Sequence, residues 1–262
     1  MALPQVLTFS QSSLEDFDRC PRLFWLRYQQ RLSWPEPWSP ENDRAVELGQ
    51  QFHALVQRES LGILVDVQTL GDPLKQYDAH FPAHLRTGQL LTELTLQVPV
   101  LGHPLVARFD RLVRTDAAEW WIIDWKTGQS PPSNQTLAQR WQSTIYPYVL
   151  VESGASLNSG VPIRPAAVRL LYWHVAAPQT VTPLVYSEAA HTQARQRIEA
   201  AVAQILQGTE AADFPLTPNH QRCQTCTYQS YCGRGQQMPE FRLEDAVASK
   251  REQVAAGRDW EI

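Results

Sequence analysis

The chain has 262 residues, 43% of them hydrophobic, nine of them tryptophan, with a formal net charge of −4. That length gives one large domain or two small ones with a substantial core, and the charge excludes a global basic field, so nucleic acid would have to meet a local patch. No apolar run is long enough to cross a bilayer, and MALPQVLTFSQSS lacks the basic-then-apolar pattern of a secretory signal, so the expectation is a cytoplasmic protein with no membrane partner.

Ser12 with Glu15 fits a capping box that starts a first helix, and Pro21 suits the first turn of a second, with Phe24 and Tyr28 on one side. Arg19, Arg22, Arg27 and Arg31 make this stretch basic, which fits phosphate contact or a solvated helix face equally well. Trp34–Asn42 is a Pro-rich link. Asp43–Glu59 reads as a helix with Leu48, Phe52, Leu55 and Val56 as its core stripe. Gly49 lowers helix propensity there, which asks for the close approach of another segment, and His53 follows one turn later. A lone helical histidine is most often an ordinary packed or exposed residue.

Gln68–Arg86 reads as broken helix and Leu90–Val100 as a strand, with Glu93, Thr95 and Gln97 on one face. Glu93 reads as a sheet-face acid in preference to an extra metal ligand. Leu105–Arg114 and Trp120–Lys126 are two strands joined by a polar break at Thr115–Glu119. Alternation sends Asp124 and Lys126 to one face and Ile123 and Trp125 to the other. If Arg114 faces Trp120, counting back places Asp110 opposite Asp124. Facing carboxylates repel, and a divalent cation relieves that repulsion. Two hard oxygen ligands beside one ammonium suit a magnesium or manganese ion that polarises a phosphate. A surface hairpin with a charged outer face satisfies the same pattern.

Gly128–Asn134 is a loop. Leu137–Val151 is helical, with Gln142 and Tyr146 adjacent on one face and Pro147 expected to kink or restart it. Ala166–Val175 and Thr180–Tyr186 form another strand pair, and Glu188–Leu206 is a helix with Ile198, Val202 and Ile205 inward and Gly208 as its stop. Cys223, Cys226 and Cys232 then form C-x2-C-x5-C in a polar stretch, with Cys20 far away in sequence. Such clustering points to a metal or iron–sulfur site rather than to buried thiols. The segment from Gln236 is a charged tail.

Taken together, SQSSLEDFDRCPRLFWLRY, the G-x3-H of Gly49 and His53, ARFDRL, IIDWKTG, the Q-x3-Y of Gln142 and Tyr146, and C-x2-C-x5-C resemble, in this order, the RecB-like branch of the PD-(D/E)XK nuclease superfamily, in its members with an iron–sulfur staple. These include nuclease domains of helicase–nucleases and CRISPR-adaptation nucleases. The resemblance implies an α/β restriction-endonuclease-like fold: a mixed sheet flanked by helices, one domain over residues 1–235, a tail over 236–262, and a staple joining the N- and C-terminal regions. It implies that His53, Asp110 and Asp124 bind Mg²⁺ or Mn²⁺, with the Trp125 carbonyl as a further ligand. Lys126 would serve the attacking water and the scissile phosphate, and Gln142 and Tyr146 would sit beside the site. Cys20, Cys223, Cys226 and Cys232 would hold a [4Fe–4S] cluster.

The implied activity is DNA cleavage on single strands or ends, in repair, recombination or CRISPR adaptation, with a helicase or integrase as a possible partner. The chain departs from the family pattern at Ala107, where glycine is usual, at Asp124, where glutamate is common, and at Pro147 after the tyrosine. No G-x4-GK[ST] is present, so a motor would be a separate subunit. Two competing readings are a non-catalytic DNA-binding or assembly subunit on the same fold, and zinc in place of iron and sulfide.

Overall fold

Residues 6–33, 40–63, 65, 71–128, 131–179 and 182–234 are described by the structure, a computed structural model, and Trp34–Ser39, Gln68–Leu70, Thr180–Val181 and the tail from Gln236 lie outside them. The chain divides into two compact units, Met1–Thr217 and Pro218–Ile262.

The first unit opens with a short strand β1 (Phe9–Ser10) running straight into helix α1 (Gln11–Arg19). The capping box is Ser10 with Ser13, two residues earlier than Ser12 and Glu15. Ser13 N–H donates to Ser10 Oγ, and Ser10 N–H donates to Ser13 Oγ. Serine serves at the third helical position because its hydroxyl reaches back as a glutamate would. Pro21 starts α2 (Pro21–Phe24), which continues as a π-helical turn over Trp25–Gln29. Arg22 and Arg27 are engaged inside the fold: Arg22 donates to the carbonyls of Phe214 and Ala211, and Arg27 pairs with Asp16 at 2.8 Å.

Helix α3 (Pro40–Ser60) and helix α4 (Asp72–His80) precede the long strands β2 (Gln89–Val100) and β3 (His103–Arg114), and then β4 (Trp120–Lys126). The segment expected as one helix over Leu137–Val151 is two, α5 (Asn134–Ala138) and α6 (Trp141–Ser153). The break falls at Arg140, which is extended, while Pro147 lies within α6. Proline forfeits one backbone bond there, but Ile145, Tyr148, Val149 and Leu150 are buried around it and hold the helix through the gap. β5 (Val168–His174) and β6 (Leu184–Val185) are shorter than expected, and α7 (Glu188–Gln207) is capped by Ser187. Gly208 ends α7 without a left-handed φ. A Cβ there would meet the Phe214 ring at 2.5 Å, so close packing demands the glycine.

The six strands form one mixed sheet. β2 and β4 run antiparallel to β3, β5 runs parallel to β4, β6 antiparallel to β5, and β1 parallel to β3. β4 pairs β3 from Arg111 to Arg114, and β1 pairs it at Leu105 and Val106. β4 and β1 thus part company along β3, and Asp110 sits in the fork. Alternation divides the core. Leu112, Ile122 and Leu170 join α1, α6 and α7 on one face, and Val113, Ile123, Trp125 and Leu171 join Phe52 and Val56 of α3 and Leu74 and Tyr77 of α4 on the other. Among the described residues no helix is long and apolar enough to cross a membrane.

In the second unit, Asn219 caps a 3₁₀ turn over His220–Cys223, and further turns carry Cys226 and Cys232, with Cys226 N–H donating to the Cys223 carbonyl.

Candidate functional site

The expected hairpin register is the one observed, with Arg114 opposite Trp120 and Arg111 opposite Ile123. Asp110 and Asp124 therefore come together at the end of the paired region. Asp110 Oδ2 accepts the Trp125 N–H at 3.0 Å. Asp124 is buried, its Oδ1 accepts a short hydrogen bond from Gln142 Nε2, and its Oδ2 lies 2.5 Å from Lys126 Nζ. Lys126 also donates to Gln142 Oε1 at 3.4 Å. Tyr146, one turn after Gln142 on α6, packs edge-on against Phe109 of β3 with ring centroids 5.2 Å apart.

Helix α3 brings His53 to the fork. Its Nδ1 lies 3.6 Å from Asp110 Oδ1, and its ring bonds the Trp125 backbone. The approach depends on Gly49, because a Cβ there would stand 3.3 Å from Thr127 Oγ1 just past β4. This is the close contact that a mid-helix glycine suggests. Burial lowers the His53 pKa, against the pull of the Asp124 and Glu93 carboxylates, so the imidazole stays neutral and able to ligate.

Glu93, a sheet-face acid by its strand pattern, also lines the cleft at this fork. Across the turn at Leu101–Gly102, Val100 faces His103, so the same count places Glu93 opposite Asp110. Among the described residues, His53, Glu93 and Asp110 are the one set of three metal-ligating types whose ligand atoms lie within 4.8 Å of each other. They line a cleft of about 800 Å³ together with Gln50, Arg108 and Tyr146. That hairpin count was available in the sequence, since β2 and β3 are joined by only two residues.

These residues fit a divalent cation. Burial, and then the Asp124 carboxylate, push Asp110 up to about 7, with the Trp125 N–H pulling the other way. In metal-free protein the raised pKa means that the folded state holds a proton from about pH 4 to 7 that the unfolded chain has released. Its stability contribution is full below pH 4 and lost as pH rises through 7. Thermal melts in EDTA should therefore show the metal-free protein losing stability from about pH 4 to pH 7 and levelling above it. Asp110→Asn should flatten that dependence, and Mn²⁺ should restore wild-type stability at pH 8 but not that of the variant. An equal pH slope in Asp110→Asn would refute this.

No disulfide joins any of the four cysteines. In the first unit Cys20 is buried, and its Sγ accepts the Thr217 N–H at 3.4 Å. In the second, Arg234 Nη1 lies 3.7 Å from Cys223 Sγ, and Cys223, Cys226 and Cys232 are all half-buried.

A sequence profile of the PD-(D/E)XK nuclease superfamily matches residues 8–87 and 72–233. None of the curated proteins matches the sequence. Among solved structures, a Eubacterium rectale protein provisionally named an exonuclease superposes with a TM-score of 0.52 at 13% identity, covering 92% of this chain and 93% of that one. The structure of SSO0001 aligns over 88% of each chain at 15% identity with a TM-score of 0.40. At 13% identity the first of these speaks for the fold alone.

Proposed function

Because the chain belongs to the PD-(D/E)XK nuclease superfamily, we propose that it is a divalent-metal-dependent deoxyribonuclease that hydrolyses phosphodiester bonds in single strands or at DNA ends. The observation that carries this reading is the meeting of His53, Glu93 and Asp110 at the fork of β3 and β4, with the Asp124–Lys126 pair close enough to Asp110 to act on its charge. His53, Asp110 and Asp124 would hold Mg²⁺ or Mn²⁺, with the Trp125 carbonyl available to it. When bound, the ion lowers the pKa of water and offsets phosphate charge.

The chain's own groups do the rest. Lys126 places an ammonium where charge develops on the scissile phosphate and stands in position to orient the attacking water. Gln142 fixes both Asp124 and Lys126 through its amide. Tyr146 lines the cleft and offers a ring and hydroxyl to a strand lying in it. Single strands suit a cleft lined by one arginine, Arg108, and the Tyr146 ring, because stacking a base is less demanding of charge than binding a duplex.

Within the superfamily we place the chain in the RecB-like, iron–sulfur branch, with Cys20, Cys223, Cys226 and Cys232 as cluster thiolates. N–H donors reach Cys20 Sγ and Cys223 Sγ, as donors commonly do at the sulfurs of such clusters. A role in repair or CRISPR adaptation beside a helicase or integrase follows from that branch. The experiment is cleavage of labelled linear and circular, single- and double-stranded DNA by anaerobically purified protein, in Mn²⁺ and in EDTA. Metal-dependent cutting is expected, with a brown chromophore absorbing near roughly 400 nm. Intact protein that binds DNA yet cuts nothing would favour an assembly subunit, and a colourless preparation holding zinc would replace the cluster.

A further inference from the structure

One carboxylate in the cleft stands between two cationic claims. Glu93 faces Asp110 between the paired rungs Thr92–Arg111 and Leu94–Phe109. Its ligand atom lies within 4.8 Å of those of His53 and Asp110. The same carboxylate holds Arg108, with Glu93 Oε2 2.6 Å from Nη2 and 2.9 Å from Nε. The Arg108 side chain is 69% exposed and that of Glu93 only 22%. Arg108 and Asp110 are two apart on β3, so both face the cleft.

Glu93 reaches both neighbours from a strained backbone. Its φ is +53° in the middle of a strand, and the rung it would form with Asp110 is missing from the ladder. A glutamate in that region is strained and persists only where the surroundings enforce it.

We propose that Arg108 and Glu93 form a latch that couples divalent-ion binding to nucleic-acid binding: an ion at His53 and Asp110 draws the Glu93 carboxylate and frees Arg108 for a phosphate of the bound strand. The inference rests on the metal-dependent nuclease reading of this cleft. Without an ion, Glu93, Asp110 and Asp124 present acidic groups to an incoming phosphate, and the guanidinium beside them is neutralised. A doubly charged ion outcompetes a singly charged, solvent-exposed guanidinium for the same oxygen. Once released, Arg108 is an exposed five-donor fork on the cleft wall, suited to phosphate. Coupling of this kind is reciprocal, so nucleic acid must also tighten the ion.

The test measures anisotropy of a fluorescein-labelled oligothymidylate of about 20 nucleotides, with EDTA or with Ca²⁺ as an ion that supports binding without turnover, alongside calorimetric Ca²⁺ and Mn²⁺ titrations of the protein alone. Wild type should tighten about tenfold on Ca²⁺. Arg108→Gln should bind within about twofold of wild type in EDTA, yet about fivefold more weakly in Ca²⁺, with the salt slope lowered by about one. Glu93→Gln should bind about fivefold tighter than wild type in EDTA, and adding Arg108→Gln should cancel that gain. Circular dichroism checks that each variant folds. An Arg108→Gln loss equal with and without Ca²⁺, or no gain from Glu93→Gln in EDTA, overturns the latch alone. Wild type that takes up no ion overturns the latch and the metal-site reading together.

Discussion

Lys126→Ala should lower phosphodiester cleavage by about 10²- to 10⁴-fold while the protein still folds and binds DNA. The expectation comes from the company that Lys126 keeps. Its ammonium lies 2.5 Å from Asp124 Oδ2 and within reach of Gln142 Oε1, so it is held on the site face rather than waving in solvent. It is also the one lysine among the residues the geometry gathers at the fork. The variant carries a second signature. Removing a cation beside Asp124 removes a competitor for that carboxylate, so Mn²⁺ should bind at least as tightly as in wild type. Lys126→Arg should not restore the rate, because guanidinium is broader, stays protonated and spreads its charge over a plane. Cleavage within about fivefold of wild type in Lys126→Ala would remove Lys126 from the chemistry. Loss of Mn²⁺ binding would mean that the variant had disturbed the site rather than the reaction.

Arg111→Met should cost about 2–4 kcal/mol of stability, the largest single loss expected outside the apolar core. Arg111 is fully buried. Its Nη2 donates to the Val56 carbonyl at 2.9 Å, to Glu59 Oε2 at 3.1 Å and to Ser60 Oγ, and its Nη1 donates to the Tyr77 hydroxyl at 3.1 Å. The guanidinium also lies over the Trp125 ring, 5.1 Å from its centroid. It thus closes the C-terminal turn of α3 with a positive charge where the helix dipole favours one. Methionine fills most of the volume but satisfies none of the donors' partners. A domain of this size should melt roughly 5–15 °C lower.

The same change should weaken Mn²⁺ binding, because α3 carries His53 and Arg111 is its tether to the strand that carries Asp110. Adjacent residues of β3 therefore divide the labour. Asp110 meets His53 of α3, and Arg111 pins the later turns of the same helix through Val56 and Glu59. Unchanged melting, or a lower melting temperature with untouched Mn²⁺ affinity, would break that link.

Arg111 also marks where reading along the chain stops. Nothing in ARFDRL distinguishes an exposed strand arginine from a buried one, because its burial is created by Val56, Glu59, Ser60 and Tyr77, all at least 34 residues away. The capping of α1 shows a smaller version of the same problem. Ser10, Ser12 and Ser13 are near-equivalent as candidates until the β1 pairing with Leu105 and Val106 sets where the strand ends and the helix begins.

What could be read without coordinates was periodic and local. Alternation of period two assigned Asp124 and Lys126 to one face and Ile123 and Trp125 to the other, and a short polar turn set the register that brings Asp110 to Asp124. Helical spacing similarly predicted the buried Phe52, Val56, Ile198, Val202 and Ile205. These follow because side-chain direction depends on a few neighbouring backbone angles. The fork between β1 and β4, the contact of Gly49 with Thr127, the tether at Arg111 and the division of Glu93 between His53, Asp110 and Arg108 required the folded chain. Each depends on groups far apart in sequence meeting within a few ångströms, and only packing of helices onto a completed sheet decides which of them meet.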